Sequence, residues 1–131
     1  MKFYIASRTK KKDRVAKLYK LLKENGHQIA SDWTLHKNTK PYIKHQDLSR
    51  RYALEDVKGV KDCDVFIIVS TGNGGRGMYV ELGAAILSYL KYQKPKIYVV
   101  GKYNHNTIFY FHPSVNRRNN IQEVLVELGI K

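Results

Sequence analysis

The run Asp64-Val65-Phe66-Ile67-Ile68-Val69-Ser70 is apolar at every interior position and leads directly into Thr71-Gly72-Asn73-Gly74-Gly75-Arg76-Gly77. A strand without polar alternation has both faces covered, which is the pattern of a central strand in a parallel sheet flanked by helices. The glycine-rich segment then reads as a strand-to-helix turn, and the apolar stretch Met78 to Leu90 as the helix that follows. This one unit already requires further parallel strands on each side of it.

The rest of the chain supplies them. Lys2 to Ala6 reads as a short buried strand and Lys11 to Asn25 as a helix, with Gly26 placed to end it. His27 to Ser31 is expected to form a second strand. Trp33 to Lys44 has no apolar period and contains Pro41, so it is a loop leading into a helix from Gln46 to Val60. Lys96 to Val100 reads as another buried strand, Ile108 to Phe111 as a final short strand and Ile121 to Leu128 as a closing helix. Strands and helices alternate throughout. The expected fold is therefore a single domain over residues 1–131, a three-layer α/β arrangement with a five-stranded parallel sheet and right-handed crossovers, Rossmann-like in the flavodoxin-like sense.

Composition bounds the partners. The net charge is +13, and of the 24 Lys and Arg residues 15 precede Lys61, against 6 of the 11 Asp and Glu. Such an excess favours anionic partners such as nucleotides or nucleic acid. However, Lys10, Lys11, Lys12, Arg14, Lys17, Lys20 and Lys23 mostly fall opposite Val15, Leu18, Leu21 and Leu22, which makes a solvated helix face the simpler reading and leaves nucleic acid a less favoured partner. Cys63 is the single cysteine, so an intrachain disulfide is impossible. The apolar part of Met1 to Arg8 is too short for a signal peptide and no run approaches a membrane span, so a cytoplasmic protein without a membrane partner is expected. His27, His36, His45, His105 and His112 show no paired metal spacing, and no metal or other cofactor is expected.

Gly72-x-Gly74-x-x-Gly77 has the spacing of a dinucleotide fingerprint, but it follows the third strand, not the first. No acidic residue stands about 20 positions on, where Lys96 to Lys102 lies. The turn itself allows close approach of a ligand to backbone amides at a helix N-terminus, with a plain structural turn as the alternative. Glu81 follows in the first turn of the expected helix, where the helix dipole stabilises a carboxylate as the anion. By position alone it reads more simply as a residue that merely favours the helix start.

Gly77-Met78-Tyr79-Val80-Glu81-Leu82-Gly83-Ala84-Ala85, after a buried strand and a glycine turn, is similar to the hallmark of the nucleoside 2-deoxyribosyltransferase family, which includes the 2′-deoxynucleoside 5′-phosphate N-hydrolases. The resemblance extends over nearly the whole chain. Phe3-Tyr4-Ile5-Ala6-Ser7-Arg8 looks like the family's opening strand and substrate loop, with Asp13-Arg14 at the start of the first helix. Leu54 to Val65 looks like its helix, short turn and central strand. The resemblance implies cleavage of the N-glycosidic bond of a deoxynucleoside or its 5′-monophosphate, with capture by water or another base. Glu81 would be the nucleophile, Asp56 the second carboxylate and Tyr4 the residue that orients Glu81. Ser7 and Arg8 would hold a 5′-phosphate. Gly75, Arg76 and Gly77 would line the substrate, Trp33 would border the base, and Asn106 would complete a neighbouring subunit's site in a homodimer or larger assembly. The glycine loop is longer than the family's usual one, and no serine stands where the N-hydrolases place a second phosphate-binding hydroxyl. A TIR-like NAD-cleaving enzyme and a non-catalytic nucleotide or nucleic-acid binder are the rival readings; the first gives no reason for Asp56, the second none for Glu81.

Overall fold

The computed structural model describes residues 1–131. Its elements are β1 (Lys2–Ala6), α1 (Lys12–Glu24), β2 (Gln28–Ile29), α2 (Gln46–Asp62), β3 (Val65–Val69), α3 (Arg76–Tyr92), β4 (Lys96–Val100), β5 (Val115–Arg118) and α4 (Ile121–Glu127). The five strands form one sheet in the order β2-β1-β3-β4-β5, every pair parallel. Ile5 lies opposite Ile67, which in turn lies opposite Tyr98.

Side-chain alternation along the strands divides the core in two. Phe3, Ile5, Val65, Ile67, Val69, Tyr98 and Val100 meet Val15, Tyr19 and Leu22 of α1 and Val124 and Leu125 of α4. Tyr4, Ala6, Phe66, Ile68, Ile97 and Val99 meet Val60 of α2 and Met78, Leu82 and Ala85 of α3. All five residues of β3 are buried, as a strand covered on both faces must be. Helices that serve crossovers in opposite directions thus lie on opposite faces, as right-handed connections require.

The structure corrects the expected elements in several places. Ile108 to Phe111 is a 3₁₀ turn and not a strand: the Thr107 side chain accepts from the Phe109 amide and Tyr110 alone is buried. The fifth strand is Val115–Arg118, which sequence pattern hides because an edge strand needs few apolar residues. Its Asn116 amide donates to the Ile97 carbonyl at 2.9 Å. The second strand shrinks to Gln28–Ile29, and 3₁₀ turns occupy Trp33–Leu35 and Tyr42–Lys44 in the expected loop. Helix α3 starts at Arg76, two residues earlier than its apolar pattern suggests. No helix is long and apolar enough to cross a membrane.

Candidate active site

The strand order reverses between β1 and β3: the chain leaves β1 through α1 towards β2 and leaves β3 through α3 towards β4. The connections diverge there and open a crevice beyond the carboxyl ends of the strands, the usual ligand position in open α/β sheets. Two contacts tie the rims together. The Ser7 hydroxyl donates to the Val69 carbonyl at 3.1 Å, and Arg8 Nη1 donates to Asn73 Oδ1 at 2.9 Å. Gly74 and Gly75 both take left-handed backbone, with φ of 77° and 76°, which turns the chain sharply into α3. A Cβ on Gly74 would stand 2.6 Å from Arg8 Nε, so the missing side chain makes room for the guanidinium. Arg8 therefore sits folded onto the glycine turn at the mouth of the crevice.

Glu81 lies in the second turn of α3, because the helix begins at Arg76. The expected support from the helix dipole is correspondingly weaker, since that effect fades after the first turn. Burial dominates instead. It pushes the Glu81 carboxyl up to about 7, opposed by a hydrogen bond from the Tyr4 hydroxyl and reinforced by the negative charge of Asp56. Tyr4 is fully buried in β1, its ring stacked on Phe66 with centroids 5.9 Å apart. Burial first, then the Glu81 and Asp56 charges, drive the Tyr4 phenol far above its ordinary value, so it is a fixed donor at every accessible pH.

Asp56 enters from α2. That helix comes close to β1 because Gly59, one turn further on, has no side chain: a Cβ there would lie 2.6 Å from the Ser31 Cβ and 3.2 Å from the Tyr4 ring. The Ser31 hydroxyl donates to Asp56 Oδ1 at 3.4 Å, and His36 Nε2 lies 3.7 Å from the same oxygen. Burial raises the Asp56 carboxyl, while His36 and the Ser31 hydrogen bond pull it down and Glu55 pushes it up. His36 in turn stacks on Tyr52, centroids 3.7 Å apart and planes 2° from parallel.

The crevice thus gathers Tyr4, Glu81 and Asp56, with Ser7 and Arg8 on its rim. Trp33 is part-buried, and its indole N–H donates to the Ile5 carbonyl at 2.6 Å, fixing the ring beside the end of β1. Arg76 and Gly77 are exposed on the first turn of α3 and Gly75 precedes it. Asn106 is exposed on the β4–β5 connection, its backbone amide donating to the Tyr103 carbonyl at 3.2 Å. Ser31, His36, Tyr52 and Asn73 were not legible as site residues. The only hint was Tyr52 standing four positions before Asp56, on the same side of a helix. No group of three or more His, Cys, Asp or Glu side chains is placed to hold a metal ion.

A buried tyrosine fixing a carboxylate that titrates near neutrality, with a second carboxylate on the facing helix, is equipment for nucleophilic and acid–base work at one carbon centre. No protein-family model matches the chain, and no curated protein matches its sequence. Among solved structures, the fold is similar to that of BcmB, a CMP N-glycosidase of Clostridium botulinum. The two share 18% identity with a TM-score of 0.62, over 99% of this chain and 100% of that one.

Proposed function

We propose that this chain cleaves the N-glycosidic bond of a nucleoside 5′-monophosphate or nucleoside, 2′-deoxyribonucleotides included, by way of a glycosyl-enzyme intermediate on Glu81. The observation that carries the reading is the Tyr4 hydroxyl donating into the Glu81 carboxylate at the switch point of the sheet, with Asp56 facing it. The activity in the name of its structural neighbour, cleavage of CMP, belongs to the same chemistry.

In the first step a Glu81 oxygen attacks C1′ and the C1′–N bond breaks, its electron pair leaving with the base, which takes a proton from Asp56. In the second, water or another base attacks C1′, Asp56 accepts the proton and Glu81 leaves as a carboxylate. Tyr4 contributes one fixed hydrogen bond that keeps the nucleophilic oxygen aimed and favours its ionised form. Arg8, with the amides of the glycine turn, suits a 5′-phosphate, because a guanidinium and a helix N-terminus both complement a dianion. Trp33, fixed by its bond to the Ile5 carbonyl, would border the base.

The protein works as a homodimer or larger assembly in this reading, with Asn106 reaching a neighbour's site. In support, α3 carries Val80, Leu87 and Leu90 more than 60% exposed, in line with Gly83 on the side away from the sheet.

The test is incubation with CMP, dCMP, the other nucleoside 5′-monophosphates and the corresponding nucleosides, with and without a second free base, beside Glu81→Gln. Base release by the wild type alone, and an acid-quenched protein heavier by one sugar phosphate, are the expected results. Absence of turnover with equal nucleotide binding by both proteins would instead identify a binding module.

A further inference from the structure

The group that distinguishes the surroundings of Asp56 is an imidazole no motif predicted. His36 lies on the loop between β2 and α2 and is only 18% exposed, while the Asp56 side chain is 23% exposed. His36 Nε2 stands 3.7 Å from Asp56 Oδ1 and 3.6 Å from Glu55 Oε2, between two consecutive carboxylates of α2. The ring cannot swing away freely, because it lies flat on Tyr52 one turn earlier on the same helix. The Tyr52 hydroxyl also accepts from the Lys37 amide at 3.0 Å, so helix and loop are fastened on both sides of the imidazole.

We propose that His36 is a positioning residue for Asp56: its imidazole, fixed on Tyr52, holds the Asp56 carboxyl in place beside Tyr4 and Glu81 and sets how readily it gives and regains its proton. Its role in turnover rests on the N-glycosidic reading above. The charged and titratable groups around the imidazole are Tyr52, Glu55 and Asp56 from α2, and Asp32 and Lys37 from its own loop. Arg51 stands behind Glu55 at 3.6 Å, and Tyr4 and Glu81 stand beyond Asp56. Arg51 already pairs with Glu55, whereas the basic side chain that reaches Asp56 is His36. The Ser31 hydroxyl supplies that carboxylate with a neutral donor only. The direction agrees: His36 is the strongest influence pulling the Asp56 carboxyl down against burial.

His36 does not touch the reacting atoms in this arrangement. It acts by fixing how easily Asp56 gives and regains its proton, and so couples the rate to a residue of the loop. A general acid–base group supplies roughly 100- to 10,000-fold, and mistuning it forfeits a part of that.

The experiment follows the Asp56 carboxyl by carbon-13 NMR against pH in the free protein, assigned by its disappearance in Asp56→Asn. It is repeated in His36→Phe, which keeps a ring on Tyr52 without charge, and in His36→Gln. The Asp56 midpoint is expected to move to higher pH in both variants. The kcat for a monophosphate substrate is expected to fall about tenfold with KM unchanged, and its pH profile to move up in step. An Asp56 midpoint that stays put in His36→Phe overturns the proposal. A midpoint that moves in a protein that cleaves no nucleotide upholds the His36–Asp56 linkage and overturns the N-glycosidic reading.

Discussion

The Tyr4 hydroxyl donates into the Glu81 carboxylate across the seam between β1 and α3, and the two residues impose opposite demands on the same oxygen. Burial asks Glu81 to hold its proton, whereas the hydrogen bond asks it to release it. The balance at about 7 leaves a carboxylate that is charged in a large fraction of molecules at neutral pH yet poorly hydrated, the condition of a strong oxygen nucleophile. Base release should therefore rise as pH increases through about 7. In Tyr4→Phe the lost hydrogen bond to a charged group, worth roughly 1.5–3 kcal/mol, should lower kcat about 10- to 100-fold near neutrality. It should also carry the acidic limb to higher pH. Steady-state rates of both proteins from pH 5 to 9 check this.

The same carboxylate should destabilise the fold. The Glu81 carboxyl is raised from 4.5 to about 7, so the folded protein binds its proton more tightly than the unfolded chain does. The stability conferred by that proton is fully present below 4.5 and is lost as pH rises through about 7, where the buried charge appears. Glu81→Gln keeps an acceptor for Tyr4 without the charge. It should match the wild type near pH 5 and melt several degrees higher near pH 8.5, while releasing no base. Thermal unfolding at the two pH values, beside an activity assay, decides it.

Legibility followed the range of the interactions. β3 and β4 are plain because each is a contiguous apolar run bounded by glycines and charges, and Glu81 and Asp56 stand out as candidates because each lies inside a local motif. The fifth strand was missed because Val115-Asn116-Arg117-Arg118 is an edge strand whose pairing partner lies 18 positions away, while the more apolar Ile108 to Phe111 is held as a turn by Thr107. The start of α3 was misjudged because two left-handed glycines, not the apolar pattern, set it. His36 left no trace in sequence, since its meaning comes from a loop folding back onto a helix 20 residues on.

Gly74→Ala should act on the phosphate end alone. The alanine would have to sit at a φ of 77°, and its methyl group would stand 2.6 Å from Arg8 Nε, so the turn and the guanidinium must shift apart. The backbone strain is about 1 kcal/mol. With the charged contact misaligned, KM for a nucleoside 5′-monophosphate should rise about tenfold while kcat stays within a factor of about three. Cleavage of the matching nucleoside, which has no phosphate to place, should hardly change. Arg8→Ala should reproduce the pattern; an equal effect on nucleoside and monophosphate would remove the phosphate assignment.

The outer face of α3 gives the prediction that bears on assembly. Val80, Leu87 and Leu90 are exposed at 65%, 69% and 63%, and Gly83 between them lets another helix approach closely. On α2, Leu54 and Val57 extend the same apolar character at 66% and 47% exposure, flanked by Arg50, Lys58 and Lys61. Leaving these side chains part-exposed forgoes about 1–2 kcal/mol apiece, and a partner that covers them recovers it. A second copy presents the identical stripe, and two-fold pairing sets each against the other. Leu87→Glu places a carboxylate in the middle of that contact and should convert a dimer to monomer in sedimentation equilibrium, with thermal stability of the isolated chain little changed because Leu87 is 69% exposed within it. If Asn106 serves the neighbour's site, the monomeric variant should also lose base release, and Asn106→Ala in the unaltered dimer should lose part of it. A Leu87→Glu protein that is monomeric and fully active would confine the whole site to one chain.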